Sequence, residues 1–363
     1  VGKAGLCTGR TLAVYAALAD KDAAGVAAAL QARIDRWHLA GLAVLVAALF
    51  LVSLATGPGG FAPGESWSAL LRGENGDLMA MVMREIRLPR AILGVLVGAS
   101  LGLAGAAMQG FLRNPLAEPG LIGTSGAAAL GAVLAIQTGL AAALPMGLPL
   151  AALAGALGSV LLILMLAGGR GGGSLHLILA GIAISALAGA LVSLVLNLSP
   201  NPFAVSEIVF WMMGSLADRS MLHVWTMLPF FGIGAALILS TGRGLNALTL
   251  GEDAAASLGI PLRRLRLMLV VGTAMLVGSA TAVAGAIGFV GLVVPHLLRR
   301  ACGGEPARLL PASALGGAAM LLAADIAVRL IVPERDLKLG VLTALIGAPF
   351  FLHLIWRSQR DDP

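Results

Sequence analysis

The chain has 363 residues, 58% of them hydrophobic and only 12% charged, with a formal net charge of +6. Soluble domains carry about 25% charged residues, so this composition excludes an ordinary soluble fold and points to an all-α polytopic membrane protein. Cys7 and Cys302 are too few for a disulfide framework and lack metal-ligand spacing, which leaves them as small buried hydrophobes.

In residues 1–37, Ala23, Val26, Leu30, Ile34 and Trp37 follow a helical stripe, with Asp22, Arg33 and Arg36 off it. This predicts a cytoplasmic amphipathic segment lying at the membrane interface. Asp20, Lys21 and Asp22 interrupt the apolar run that a signal peptide would need. A membrane span takes roughly 20 mostly apolar residues. Ten such stretches follow, near 38–57, 88–110, 120–140, 144–167, 175–198, 222–241, 265–284, 286–302, 308–330 and 338–357. Residues 38–357 are thus predicted as one ten-helix transmembrane domain, followed by a cytoplasmic tail at 358–363. The seventh and eighth stretches form nearly one apolar run, divided only by their Gly and Pro pattern. The 49 glycines suit helices whose backbones approach closely. A shorter helix is expected near 203–214, after the Pro200/Pro202 break.

A second short helix lies in "TLGEDAAASLGIPLRRLRLM", residues 249–268. Thr249 is expected to cap it, with Glu252 three residues later completing a capping box. Glu252 and Asp253 favour the positive end of the helix dipole. Gly259 ends the helix and Pro261 prevents its continuation. With the N-terminus in the cytoplasm, 16 of the 24 Lys and Arg residues fall on cytoplasmic segments, as the positive-inside rule prefers. This short helix then faces the cytoplasm, as does the C-terminus.

Chemical motifs are missing. There is no G-x-x-x-x-G-K-[ST] phosphate loop, and "GGRGGGS" at 168–174 has no Lys. His38, His176, His223, His296 and His353 are scattered, so neither a metal site nor a catalytic residue is predicted. His223, on the outer side, reads either as a membrane-interface histidine or as a haem ligand. Asp325 lies near the outer end of the ninth span and Glu207 in an outer loop, which makes no carboxylate relay for ion coupling. If the chain transports, its energy comes from another subunit, and a cytoplasmic docking helix is what that arrangement requires.

Four stretches carry a family resemblance. They are "REIRLPRAILGVLVGASLGLAGAAMQGFLRNPLAEPGLIGTSGAA" (84–128), "LGEDAAASLGI" (250–260), "GAIGFVGLVVPHLLRR" (285–300) and "ADIAVRLIVPERDLKLGVLTALIGAPFFLHLI" (324–355). Together they resemble the FecCD-type permeases, membrane subunits of type II ATP-binding-cassette importers for haem, iron–siderophore complexes and vitamin B12. The resemblance covers about residues 38–357 and implies ten helices per subunit in a bacterial inner membrane. It implies a homodimer or pseudo-dimer, two ATPase subunits on the cytoplasmic side and a periplasmic substrate-binding protein outside. ATP and magnesium would sit on the partner, with no cofactor on this chain and no nucleic acid involved.

The resemblance also assigns residues. Leu250, Gly251, Glu252, Asp253, Ala254, Ala255, Ala256, Ser257, Leu258 and Gly259 match the ATPase-coupling helix. Arg87, Arg90 and Arg329 match binding-protein docking arginines. Arg84 joins Arg87 and Arg90 in a cluster that breaks the positive-inside tendency, and such residues also read as snorkelling anchors at a span end. Asn114 and Leu116, with Gly173 and Ser174, match the cytoplasmic gate. The expected function is import of haem or a ferric siderophore ahead of vitamin B12, without covalent chemistry. An ion-coupled secondary carrier is the alternative, and an intramembrane enzyme has no nucleophile–base pair to support it.

Overall fold

The computed structural model describes residues 36–57, 63–72, 77–167, 174–331 and 337–361. The predicted amphipathic segment before Arg36 lies outside them. Residues 1–41 form one unit, of which only the start of the first helix is described, and residues 42–363 form the other. All regular structure among the described residues is helical. That follows from the solvent: in hydrocarbon, a helix satisfies its own backbone polar groups.

The helices are α1 (Arg36–Ala55), α2 (Pro63–Arg72), α3 (Leu78–Leu112), α4 (Thr124–Gln137), α5 (Gly147–Ala167) and α6 (Ser174–Leu198). Next come α7 (Pro202–Met212), α8 (Met221–Ser240), α9 (Gly242–Leu248), α10 (Glu252–Ser257) and α11 (Leu262–Ala284). The chain continues with α12 (Val290–Leu298), α13 (Pro306–Ile331) and α14 (Leu339–Asp361). Seven of these are long and apolar enough to cross a membrane, namely α1, α3, α5, α6, α8, α11 and α13. The other three predicted spans fall on the shorter apolar α4, on the apolar part of α14 up to His353, and on the nine-residue α12.

Helix α3 is the axis of the bundle and is buried along most of its length. Asp77 caps its start by accepting from the Met79 N–H at 3.1 Å. Pro89 has no N–H to donate back to Glu85, and the preceding turn, Val82–Arg87, widens to a π-helix in which the Leu88 N–H reaches the Met83 carbonyl. That turn directs Arg87 into the protein. Further along, Gly98, Gly102 and Gly105 let α3 touch the backbones of α13 and α12. A methyl group at Gly105 would land on the Gly291 carbonyl oxygen, and one at Gly98 on that of Gly317. Around this contact Leu93, Val97 and Leu101 pack with Val290, Val294 and Leu321.

Two spans are shorter than a bilayer requires. Helix α4 has 14 residues and α12 only nine. Irregular backbone precedes each: 113–123, with Gly123 at φ +79°, and 285–289, with Gly285 at φ +73° and Phe289 at φ +67°. Such backbone is tolerated at membrane depth only when protein surrounds it, and Ala117, Pro119 and Ile287 are buried. Pro295 inside α12 leaves the Gly291 carbonyl without its helical donor. The buried Gln109 side chain of α3 reaches that carbonyl at 3.4 Å and the Leu292 carbonyl at 3.2 Å.

Candidate functional site

Three places bear on function: the two ends of the bundle and the cleft between them. Arg87, Arg90 and Arg329 gather at one end, around the end of α1. The last carbonyls of a helix lack intrahelical partners and carry the negative end of its dipole. Arg87 Nη1 donates to the Leu54 and Ala55 carbonyls at 3.1 and 3.4 Å, and Nη2 to that of Gly57 at 3.3 Å. Arg329 Nη1 donates to the Ser53 carbonyl at 2.9 Å and the Thr56 carbonyl at 2.6 Å, and Nη2 to Ser53 Oγ at 2.6 Å.

Asp325, whose side chain is only 1% exposed, holds the other side of this cluster. Arg90 grips it with Nε at 3.0 Å and Nη2 at 2.8 Å from Oδ1, and Arg329 Nη2 lies 2.8 Å from Oδ2. Side-chain exposure falls from 18% for Arg90 to 7% for Arg329, and Arg87 as a residue is 3% exposed. The sequence shows these arginines and places Asp325 near them, but not that the end of α1 is their shared acceptor.

Helix α13, with 26 residues, carries Arg329 in its last turn and spans about 39 Å at 1.5 Å per residue. Its first turn meets α9: the Ala307 N–H donates to Asn246 Oδ1 at 2.9 Å. The short helix α10 follows α9, so it lies at the end of the bundle opposite to Arg90. The expected capping box is corrected here. Thr249 ends α9, and its hydroxyl donates to the Asn246 carbonyl at 2.7 Å. Gly251, at φ +108°, is the N-cap of α10 and supplies no side-chain cap. Glu252 instead accepts from Arg266 at 2.7 Å. The expected stop is present: the Ile260 N–H bonds the Ala255 carbonyl and the Gly259 N–H that of Ala256, with Gly259 at φ +80°, a Schellman motif. Ala255 is buried beneath the helix. Asp253, Ala256, Ser257 and Gly259 are exposed, Gly251, Glu252 and Ala254 are half-buried, and Leu250 and Leu258 stand 68% and 65% exposed.

In the expected gate, Arg113 takes a left-handed turn at φ +50°, which starts the 113–123 loop. Asn114 is exposed and its Oδ1 accepts from the Leu116 N–H at 2.9 Å, while Leu116 is half-buried. Gly173 lies outside the described residues, and Ser174 begins α6.

Between the ends, a cleft of about 570 Å³ runs from the end of α7 past the 285–289 segment to α14. Met212, Met213, Phe289 and Leu345 give it an apolar wall. Toward the Arg90 end, Glu207, Asp218, Arg219 and Lys338 line a separate cavity of about 480 Å³. Burial lowers the Arg219 guanidinium from its usual pKa, and the Asp218 charge opposes that shift. His223 has a structural task, since its Nδ1 accepts from the Ser220 N–H at 3.2 Å and completes a capping box at the start of α8. Among the described residues no three His, Cys, Asp or Glu side chains gather where they could hold a metal ion.

A bundle of apolar spans, two of them cut short by buried irregular backbone and one such segment lining a cleft, is the architecture of a multi-pass membrane permease. The chain belongs to the FecCD transport family, whose profile matches residues 45–357. It is 41% identical over 331 residues to the vitamin B12 import system permease protein BtuC of Salmonella paratyphi A, covering 91% of this chain and 98% of that one. It is 39% identical to the uncharacterized ABC transporter permease protein YvrB of Bacillus subtilis, covering 79% of this chain and 82% of the relative. Among solved structures, an inward-facing metal-chelate type ABC transporter superposes with a TM-score of 0.77 at 33% identity, over 88% of this chain and 98% of the other. The chain is therefore a transport permease of the ATP-binding-cassette import class.

Proposed function

We propose that this chain is the pathway subunit that carries a bulky metal-centred chelate inward across the bacterial inner membrane, with both termini cytoplasmic. It pairs with a second copy of itself, two ATPase subunits on the α10 side and a periplasmic binding protein on the Arg90 side. ATP and magnesium belong to the ATPase, and this chain contributes two alternating packings of its helices.

The observation that carries the cargo reading is the apolar wall of Met212, Met213, Phe289 and Leu345. A rigid macrocycle or a wrapped metal complex offers a large apolar surface to such a wall, whereas a bare ion would lose its hydration without replacement ligands. The similarity to a vitamin B12 permease puts the corrinoid first among candidate cargoes. Haem and ferric siderophores follow, favoured by the same wall and by the likeness to a metal-chelate transporter.

Coupling is assigned to Leu250 through Gly259, whose exposed leucines suit a groove on a soluble ATPase. Docking is assigned to Arg87, Arg90 and Arg329, with Arg90 the most accessible. Carboxylates of the binding protein would exchange for Asp325 and the α1 carbonyls as guanidinium partners. The gate is assigned to Asn114, Leu116, Gly173 and Ser174.

The test is uptake by proteoliposomes holding this chain, with an ATPase and a binding protein taken from adjacent reading frames. Labelled cobalamin, haemin and ferric siderophores are offered in turn. One of the three should accumulate only with ATP and all three components. Accumulation driven by an ion gradient without the ATPase would establish the secondary-carrier alternative instead.

A further inference from the structure

A series of side-chain and turn hydrogen bonds joins the α10 end of the molecule to the 113–123 loop by way of α12. Helix α9 leads straight into α10, since the Leu250 and Gly251 N–H groups bond the Ala247 and Leu248 carbonyls. From α9, Asn246 Nδ2 donates to Glu305 Oε1 at 2.7 Å and Oδ1 accepts from the Ala307 N–H. Glu305 is tied to the end of α12 by a closed turn. The Gly304 N–H bonds the Arg299 carbonyl, the Gly303 N–H that of Arg300, and the Glu305 N–H that of Cys302. Gly303 and Gly304 hold the positive φ that such a turn needs.

At Arg299 the path crosses to α3, because Nη2 donates to Gln109 Oε1 at 2.8 Å. Gln109 also holds the Gly291 carbonyl freed by Pro295 and the Leu292 carbonyl beside it, and its own carbonyl accepts from the Asn114 N–H at 3.2 Å. At the other end of α12 the 113–123 loop makes its own contact: the Phe289 N–H donates to Glu118 Oε1 at 3.3 Å. Gln109, in the last turn of α3 before the loop, and Glu118, within the loop, thus hold the two ends of α12. A nine-residue helix tied at one end to the residue that leads into the loop and at the other to the loop itself, and packed on α3 by glycine contacts, is placed to move with that loop.

We infer that α12 transmits displacement of the α9–α10 pair to the 113–123 loop, with Asn246, Glu305, Arg299, Gln109 and Glu118 as its positioning residues. This rests on reading α10 as the ATPase-docking helix and the loop as the gate. A competing route leaves α10 through the Glu252–Arg266 pair into α11.

The test uses the full chain alone in lipid nanodiscs, with hydrogen exchange read at the amides of Asn114, Leu116 and Ala117. All three are hydrogen-bonded in this structure. Asn246→Ala and Arg299→Met, about 50 residues apart in sequence, should each speed exchange there by roughly tenfold, the effect of losing a hydrogen bond to a charged partner. The two act on one path, so the double variant should exchange no faster than the singles. Arg299→Lys, which keeps one donor, should restore much of the protection. Asn246→Asp keeps the acceptor for the Ala307 N–H but repels Glu305, so it should act like Asn246→Ala even if the alanine variant folds poorly. Unchanged loop exchange in both Asn246 variants, or effects that multiply, would overturn the inference. So would a loop response to Arg266→Ala in place of Asn246→Ala. Failure of α10 to bind an ATPase would be seen separately by pull-down, and would remove the docking reading while leaving the exchange result intact.

Discussion

At the Arg90 end of the bundle, Arg87 and Asp325 are buried and Arg90 and Arg329 half-buried, all four bonded to one another or to groups at the end of α1. At the α10 end, two leucines stand in the open beside a six-residue helix, and the arginines Arg243, Arg263 and Arg264 are exposed. The first region is a finished structure whose charges hold α1 against α3 and α13. The second has an apolar surface that the described residues leave uncovered. Charge does not by itself mark a contact site, and its absence does not mark a structural one. The Arg90 cluster can serve a partner only by exchanging bonds, whereas the α10 surface can do so by adding them.

The largest effect should come from breaking the ionic cluster. Asp325→Asn leaves Arg90 and Arg329 facing each other without their carboxylate. Removing one partner of a buried ion pair costs about 3–5 kcal/mol, because the remaining charge is stranded. Thermal unfolding of the purified chain in detergent should show that loss, and a stability within about 1 kcal/mol of the parent would mean that water already screens the cluster.

Next in size is the cap on α1. Arg87→Met keeps the apolar stem but removes the donors to Leu54, Ala55 and Gly57. Arg329 still holds the neighbouring Ser53 and Thr56 carbonyls, so the expected loss is smaller, about 1–3 kcal/mol. Proteolysis after residue 57 should speed up while the protection of α3 stays unchanged. If α3 loses protection equally, Arg87 holds the whole end of the bundle rather than α1 alone.

The sequence makes the spans legible for a simple reason: each is an apolar run of bilayer length, and the Gly and Pro residues between them mark the breaks. Helix α7 was legible in the same way, from the Pro200/Pro202 break, whereas its cap, Asn201 accepting from the Phe203 N–H, was not. Local rules failed where a side chain had two local choices. Thr249 looked like an N-cap, but its hydroxyl turns back to the Asn246 carbonyl and Gly251 takes the cap position. Long-range pairing was out of reach, since Arg90 and Asp325 are 235 positions apart. Gln109 is a lone polar residue in an apolar run, and its task was not legible. Only the structure shows that the task is to satisfy the carbonyl freed by Pro295.

At the α10 end the expected stability effects shrink while the functional ones grow. Gly259→Ala forces a side chain into the left-handed turn and should cost about 1 kcal/mol locally. Nothing lies within 4 Å of a Cβ at Gly259, so the cost is conformational and not steric. Hydrogen exchange at Ile260 should rise, and ATPase pull-down should weaken because the helix ends at a different angle.

The smallest change in stability should accompany the sharpest test of the comparison. Leu250→Ser and Leu258→Ser remove apolar surface that the isolated chain leaves mostly in water, so unfolding should shift by no more than about 0.5 kcal/mol. If these leucines fill a groove on the ATPase, each loses in the complex the burial worth of a leucine side chain, about 1.5–3 kcal/mol. ATPase affinity should then fall by roughly tenfold or more for each variant, while binding-protein docking at the opposite end is unaffected. Equal ATPase binding by the double variant and the parent would leave the polar face of Asp253 and Ser257 as the contact. The contrast would then invert: both ends would meet their partners through polar groups, and the exposed leucines would face lipid headgroups.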